Sequence, residues 1–337
     1  NLLGFRGSYI SDIFFQSIGL ISYLVSFTLI FTGINIIIRK DFFLIIENIF
    51  YSILYSIIGS VFLNHFYNTT FALFINGNGG FVGSFAKDKS PEPVTWNNYL
   101  KEAVFGEEII NDGSHMFSLD TPYRALDAAI VPISINFKKP QSEETFVKSL
   151  TLIVDENPSP VVSKFNFTPK IGNASLTTRI RIDKYTYVRA VVEMNNGEKY
   201  MNSNFVKAAG GCSAPSLADM DAVMARLGKM KMKFFETGNK DSLSKAQFLI
   251  SHPNYSGLQF NQLTRAEIPA HFVNYIKIEQ DDDLILEAYP DISLSEDPAI
   301  TFHFQDSGSP LKVSVEDSEG KNYAGDFPLS SVISKNF

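Results

Sequence analysis

The sequence predicts an all-β protein, with two β-sandwich domains behind an N-terminal hairpin of two transmembrane helices. Three observations support this prediction. The 337 residues are enough for about two domains. Residues 1–86 carry only three basic and three acidic side chains, whereas the other 251 residues carry 26 and 33 and account for the whole net charge of −7. After residue 95, short strand-like runs alternate with turn residues.

The N-terminal segment has the length and composition of a transmembrane hairpin. Residues 13–38 contain no charge and would span ~39 Å as a helix, and residues 42–63 would span ~33 Å with a single acid, Glu47. Two core helices of a soluble protein would each show a polar face, and neither run has one. Arg39 and Lys40 lie in the connection, so the positive-inside rule predicts a cytoplasmic connection and an extracytoplasmic location for everything that follows the second helix.

Three motifs of this segment resemble those of the N-terminal membrane domain of the FtsK DNA translocase. They are NLLG at 1–4, GSYISD at 7–12 and GGFVG at 79–83, and the resemblance covers residues 1–85. That domain has four spans, whereas this segment has room for two. The sequence also contains no G-x-x-x-x-G-K-[ST] loop for an ATP-driven motor. The resemblance therefore implies a membrane anchor, residues 1–86, and not a DNA pump.

A charged, proline-containing linker at 87–94 precedes the first predicted sandwich, residues 95–215. Consecutive strand-like runs are not separated by the amphipathic helices that a parallel sheet requires, so a sandwich is favoured. The sequence Asn195-Asn196-Gly197 predicts a hairpin turn. The predicted strands are 129–137, 149–154, 161–167, 177–182 and 186–194.

The second predicted sandwich, residues 229–337, follows a linker helix at 216–228 that Ser216 can cap. Residues 229–234 alternate between lysine and an apolar side chain, which is the pattern of a strand with one buried face. Further predicted strands are 246–250, 272–279, 284–289, 299–304 and 311–316.

Two groups of polar residues in this second domain could suggest a metal site. Asp281-Asp282-Asp283 lies between two alternating strands and lacks the remaining ligands of a calcium loop, so we expect a solvated hairpin turn. His252, His271 and His303 are too scattered for a standard zinc motif, and we expect structural roles for all three. The sequence thus predicts no metal site.

Cys212 is the one cysteine of the chain and lies among small residues. Gly210, Gly211, Ser213 and Ala214 flank it, which predicts a flexible loop without the apolar side chains that would hold the segment in a core. A free reactive thiol, an intermolecular disulfide and a small buried core residue all remain open for such a cysteine. The positive end of the predicted helix that follows could stabilise a thiolate.

The chain after residue 95 resembles two subunits of bacterial thiosulfate oxidation in order. The resemblance to SoxY implies an Ig-like sandwich whose Gly-Gly-Cys arm binds its cargo covalently on the cysteine, here Cys212. The resemblance to the partner SoxZ implies a second Ig-like sandwich. The whole, 95–335, is similar to the fused SoxYZ-like carrier associated with quinoprotein dehydrogenases. The motifs are TLIVDENPSP at 151–160, TRIR at 178–181, KAAGGC at 207–212, ISHP at 250–253, IPAHF at 268–272 and ISLSEDP at 292–298.

These observations predict a non-enzymatic sulfur or thiol carrier without a cofactor. The cysteine arm of SoxY is a free tail, whereas here the chain continues through Pro215, so thiosulfate chemistry does not carry over directly. The expected partners are redox enzymes of sulfur oxidation or of a quinoprotein dehydrogenase system, and the membrane through residues 13–63. The negative net charge gives no indication of nucleic-acid binding.

The expected location is the inner membrane with the carrier domains in the periplasm, or the soluble periplasm if the chain is cleaved near Ala86. A membrane-anchored structural component related to the FtsK membrane domain, without motor activity, is the alternative.

Overall fold

The computed structural model describes residues 90–214, 223–236, 243–261 and 264–329. They belong to one compact unit that extends from Ser90 to Phe337. The predicted transmembrane hairpin at 13–63 lies outside the described residues, and so does most of the predicted linker helix at 216–228. Within the described ranges, no helix is long and apolar enough to cross a membrane.

The described residues are mostly β-structure, which confirms the predicted all-β class. The named helical segments are a π-helical turn, Trp96–Leu100, that continues as α1, Lys101–Phe105, and a 3-10 turn at Pro169–Ile171, and residues 223–224 are also helical. The strands are β1 Ile110–Asp112, β2 Phe117–Asp120, β3 Val131–Phe137, β4 Val147–Val154, β5 Val161–Phe167, β6 Leu176–Ile180, β7 Thr186–Met194, β8 Lys199–Val206, β9 Met230–Glu236, β10 Leu243–Ile250, β11 Gln259–Phe260, β12 Glu267–Ile268, β13 Val273–Gln280, β14 Asp283–Pro290, β15 Ala299–Gln305, β16 Leu311–Asp317 and β17 Asn322–Phe327.

Two large sheets run through both predicted domains. The nine-stranded sheet has the order β1-β8-β7-β4-β5-β14-β13-β16-β17, and the six-stranded sheet has the order β2-β3-β6-β15-β10-β9. Strand β5 pairs with β14 from Phe167 opposite Leu286 to Ser163 opposite Pro290, and β6 meets β15 at Thr177 and Thr301. The two predicted sandwiches are therefore joined edge to edge.

The strand patterns follow from what each strand faces. Along β16, buried and exposed side chains alternate, because one face packs on the core and the other meets solvent. The inward side chains of both sheets belong to one hydrophobic cluster that includes Phe165, Phe248, Phe302 and Phe304. Strands β4 and β7 do not alternate and are buried almost throughout, which indicates that both of their faces are covered.

The helical turn and α1 cover the outer face of β4 and β7, a feature that the sequence did not predict. Trp96 packs against Ile153 and Val191 in a second apolar cluster. The guanidinium of Arg189 lies 4.4 Å from the Trp96 ring centroid. It also forms a bidentate ion pair with the carboxylate of Asp155, in which Nη2 and Oδ2 are 2.7 Å apart. This buried pair, capped by an aromatic ring, fixes the start of the described chain on the sheet.

The predicted turns are confirmed. Asn195-Asn196-Gly197 connects β7 to β8, and Gly197 has a φ of 89° that a glycine adopts without strain. Asp281 and Asp282, with φ of 53° and 65°, form the exposed turn between β13 and β14. Each of the eleven predicted strands corresponds to an observed one, with ends that differ by a few residues.

Candidate functional site: the Cys212 loop

Cys212 lies in the loop that follows β8, and it is buried. Its side chain is a free thiol with 0% of its surface exposed. The expectation that its small neighbours would keep it out of the core is wrong. Small residues here allow the backbone to approach other segments closely, so the same composition that suggests an open loop permits a tightly packed one.

Backbone hydrogen bonds anchor the two glycines that precede Cys212. Gly210 N–H donates to the carbonyl of Asp183 at 2.7 Å, and Gly211 N–H donates to the carbonyl of Ile182 at 2.9 Å. A Cβ at position 211 would lie 2.0 Å from the carbonyl oxygen of Ala128, so no side chain fits there. Gly210 has a φ of 79° and open space around its α-carbon, so its role is conformational.

Side chains of the segment 254–259 close the loop from the other side. The Ser256 hydroxyl donates to the carbonyl of Cys212, and Gln259 Nε2 donates to the carbonyl of Ala214 at 2.8 Å. Ser213 itself is exposed. The cysteine loop therefore lies at the seam between the N-terminal and the C-terminal parts of the described unit, and both parts hold it.

Arg181, directly after β6, lies beneath this loop. Its Nη1 donates to the carbonyl of Gly211 at 3.3 Å and its Nη2 to the carbonyl of Asn254 at 3.2 Å, so the guanidinium bridges the cysteine loop and the segment 254–259. In the sequence, Arg181 stands out only as part of the TRIR motif at 178–181. A buried position could not be read from the sequence, since Arg179, two residues earlier, is half-buried and has a different partner.

The closed loop keeps the thiol protonated. Burial raises the pKa of Cys212 to about 12, with the Asp183 carboxylate adding to the rise and the Arg181 guanidinium opposing it. A neutral thiol is a poor nucleophile at neutral pH. The hypothesis of a thiolate stabilised by the following helix therefore does not describe the closed loop, and the start of that predicted helix lies outside the described residues.

A second polar cluster lies on the far side of the segment 252–256. His271 Nε2 lies 2.9 Å from Asp317 Oδ2, the Tyr323 hydroxyl donates to the same oxygen at 2.9 Å, and His252 Nε2 lies 3.6 Å from it. The sequence predicted structural roles for these histidines but not that two of them meet one carboxylate, because His252 and His271 lie in separate connections and Asp317 lies at the end of β16.

Two imidazoles and a carboxylate are a donor set that can bind a metal, and the three ligand atoms lie within 4.8 Å of one another. The hydrogen bonding of His252 argues against metal binding by this group. Asn254 N–H donates to His252 Nδ1 at 3.0 Å, so the neutral ring carries its proton on Nε2, the atom that would have to bind the metal. The group is better described as a hydrogen-bonded cluster that supports the segment leading to Ser256.

Both ends of this cluster have shifted pKa values. Burial and the neighbouring His271 ring lower the pKa of His252 to about 4. Burial would raise the pKa of Asp317, but hydrogen bonds from His271, Tyr323 and two backbone amides outweigh it and lower the value to about 2. At neutral pH the cluster therefore holds a neutral His252 beside an ionised Asp317.

Family models match three successive segments of the chain. Residues 1–92 match the 4TM region of the DNA translocase FtsK/SpoIIIE, residues 101–212 match the sulfur oxidation protein SoxY, and residues 232–328 match the sulphur oxidation protein SoxZ. The chain carries a SoxY-like and a SoxZ-like domain in tandem. The SoxY match ends at Cys212, and the residues that close the loop, Ser256 and Gln259, belong to the SoxZ-like part. The tandem indicates a carrier protein of sulfur oxidation.

Solved structures that match part of the chain include the sulfur carrier protein SoxY from Chlorobium limicola f thiosulfatophilum, at 24% identity over 32% of this chain and 87% of that one, with a TM-score of 0.27. A superoxide reductase (neelaredoxin) from Ignicoccus hospitalis is 13% identical over 28% and 80% of the two chains, with a TM-score of 0.25. A putative superoxide reductase from Thermotoga maritima is 14% identical over 28% and 86%, with a TM-score of 0.24. Curated protein sequences give no match.

Proposed function

We propose that this chain is an extracytoplasmic sulfur or thiol carrier. Cys212 binds a sulfur-containing group covalently and presents it to partner redox enzymes. The observation that carries the proposal is the position of the one cysteine of the chain. It ends the SoxY-like match, and side chains of the SoxZ-like part hold the loop on which it lies.

The closed loop corresponds to the resting, unloaded carrier. Loading requires the loop to open, because a thiol with a pKa of about 12 supplies almost no thiolate at neutral pH. Opening breaks the bonds from Ser256 and Gln259 and returns the thiol to water, where its pKa falls toward the ordinary value of 9.0. A partner redox enzyme then takes two electrons as the cysteine sulfur and the cargo sulfur lose their protons and form an S–S bond.

Exposed apolar side chains around the loop support a contact with such partners. Leu126 is fully exposed two residues from Ala128, and Tyr185 is exposed two residues from Asp183. Leu258, next to Gln259, is also exposed. Each belongs to a segment that contacts the cysteine loop, so we expect a partner that docks on them to lie close to this loop.

The N-terminal match to the FtsK/SpoIIIE membrane region supports an anchor in the inner membrane, with the carrier in the periplasm and residues 13–63 in the bilayer. Cleavage near Ala86 would release a soluble periplasmic carrier. The proposed partners are enzymes of sulfur oxidation or of a quinoprotein dehydrogenase system. In this proposal the chain has no catalytic machinery of its own and needs no cofactor.

The same N-terminal match favours a second candidate function, a membrane-anchored structural component without motor activity. It predicts that residues 1–86 alone localise to the division site of a cell. The carrier proposal predicts a uniform distribution around the membrane.

Intact-mass analysis of the full chain isolated from its native cells tests the carrier proposal. We expect a mass increment that a reductant removes, that peptide mapping assigns to Cys212, and that Cys212→Ser abolishes. An increment equal to added sulfur or a thiosulfonate would also identify the cargo. A disulfide-linked homodimer would support a cross-link instead, and an unmodified thiol that also resists alkylation in the folded chain would overturn the proposal.

A further inference from the structure

Arg181 is a buried cation without an anion beside it. Only 2% of its surface is exposed, and no carboxylate of the described residues forms an ion pair with it. Its contacts are the two long hydrogen bonds to the carbonyls of Gly211 and Asn254, and its Nε–H has no hydrogen-bond partner. Buried charges in proteins are normally paired, so this guanidinium is incompletely satisfied.

The charges around Arg181 leave room for a counter-ion on the cysteine loop. Glu296 and Asp127 act on Arg181 electrostatically without forming an ion pair, and a negative charge on Cys212 would act in the same direction. The carbonyl that Nη1 contacts belongs to the residue directly before that cysteine. An anion carried on the Cys212 sulfur would therefore meet a guanidinium that still has an unused donor.

We infer that Arg181 is the counter-ion of the loaded site: the closed Cys212 loop retains a cargo with a negatively charged free end, which the guanidinium of Arg181 binds. This inference rests on the proposed carrier function and adds a residue that selects the cargo by charge. It also assigns a role to loop closure after loading: the loop closes again over the adduct and holds it away from solvent until a partner opens it. A neutral adduct leaves Arg181 unpaired and gains nothing from closure.

Two thiol reagents make this testable because they differ in the charge that they leave. The Cys212 thiolate attacks an inner sulfur of tetrathionate, forming Cys–S–S–SO₃⁻ and releasing thiosulfate. It attacks methyl methanethiosulfonate to form Cys–S–S–CH₃ and releases methanesulfinate. Both products are disulfides on the same sulfur, and only the first has an anionic end. Intact mass verifies complete loading of the full chain in each case.

The measurement is the melting temperature of the two loaded forms. We expect the anionic form to melt about 2–4 °C above the neutral form in the unmutated chain, the scale of one modest interaction in a domain of this size. Arg181→Met should remove this difference, while Arg179→Met, which changes an arginine two residues away that donates to the carbonyl of Asp297, should retain it. An equal difference in Arg181→Met would overturn the inference.

A second measurement needs no variant and applies if Arg181→Met fails to fold. Dithiothreitol should remove the anionic group from the folded chain more slowly than the neutral group, after each rate is divided by its rate in the unfolded chain. Equal ratios would overturn the inference and leave the carrier proposal standing. If neither reagent reaches Cys212 in the folded chain, the carrier proposal itself fails.

Discussion

Cys212 and its neighbours illustrate how one local sequence permits two opposite structures. Gly-Gly-Cys-Ser-Ala lacks large apolar anchors, and for that reason it suggests an exposed arm. In the folded chain the missing side chains let the backbone of Gly211 pass close to Ala128, and carbonyls rather than side chains take part in the contacts. The cysteine is therefore enclosed by polar backbone contacts that have no apolar sequence signature.

The buried thiol makes the folded state sensitive to high pH. The folded pKa of about 12 is raised above the ordinary value of 9.0, so the native state holds its proton where the unfolded state has lost it. The stabilisation is complete below pH 9 and is lost as the pH rises toward 12, by at most about 1.4 kcal/mol for each pH unit. In urea titrations from pH 8 to 11, the free energy of unfolding should fall less steeply with pH in Cys212→Ala than in the unmutated chain. The same dependence on pH in both chains would refute this prediction.

Gly211 should tolerate no side chain, whereas Gly210 should tolerate one at moderate cost. A Cβ at 211 would collide with the backbone carbonyl of Ala128, which cannot rotate away, so Gly211→Ala should expel the loop and increase the labelling rate of Cys212. Gly210→Ala meets open space and should cost only about 1 kcal/mol for its positive φ. Urea unfolding and thiol labelling of both variants, measured together, check the contrast. Equal effects would contradict it.

At the scale of elements, the connection 252–256 links two polar groups. At one end Asn254 N–H and the His271–Asp317 pair surround His252, and at the other end the hydroxyl of Ser256 bonds to the cysteine loop. The carbonyl of Asn254 also accepts a hydrogen bond from Arg181, so the position of this segment affects the position of the guanidinium beneath the cysteine loop. The support of this connection consists of hydrogen bonds between segments that are far apart in the sequence, and no periodic pattern predicts them.

The His252 cluster should make the fold sensitive to acid. His252 has a folded pKa of about 4 against an ordinary 6.5, so the unfolded chain binds the extra proton between those values. Stability should therefore fall as the pH drops from 6.5 to 4, by at most about 1.4 kcal/mol for each pH unit. We expect His252→Gln to reduce this slope in urea titrations. The matched control is His115→Gln, at an exposed histidine, and a reduced slope there would argue against the assignment.

At the scale of the whole molecule, the SoxY-like and SoxZ-like parts share two sheets and one hydrophobic core. Because β5 pairs with β14 and β6 pairs with β15, each part covers strand edges that the other part would otherwise expose. A seam of this kind explains why the cysteine loop can be held by both parts at once.

The two parts should unfold together. Trp96 is the one tryptophan of the chain and reports on the first part, while amide exchange in β10 and β16 reports on the second. Continuous sheets predict coincident urea transitions by these probes. If the tryptophan signal changes at a urea concentration where β10 and β16 remain protected, the two parts are independent domains.

Sequence periodicity predicted most strands, because alternation and turn residues act locally, as in β9, β16 and the turn at Asn195-Asn196-Gly197. It did not predict the shared sheets, since edge pairing between β5 and β14 depends on residues more than a hundred positions apart. The helical turn at Trp96 was missed because its apolar face covers a sheet that only the folded chain provides. The sequence singles out Cys212 as a candidate, while its burial and the position of Arg181 beneath its loop depend on the tertiary structure.

The central claim is that Cys212 is a carrier cysteine in a loop that opens without unfolding of the chain. Thiol labelling of the folded full chain across low urea concentrations tests it most directly. We predict a rate that does not change with urea, because local opening exposes little surface, and that rises about tenfold in Gln259→Ala but not in the matched Gln247→Ala, whose amide donates to Thr301 on β15. A rate that follows global unfolding at every urea concentration would contradict the account, because Cys212 would then be a core residue and no carrier.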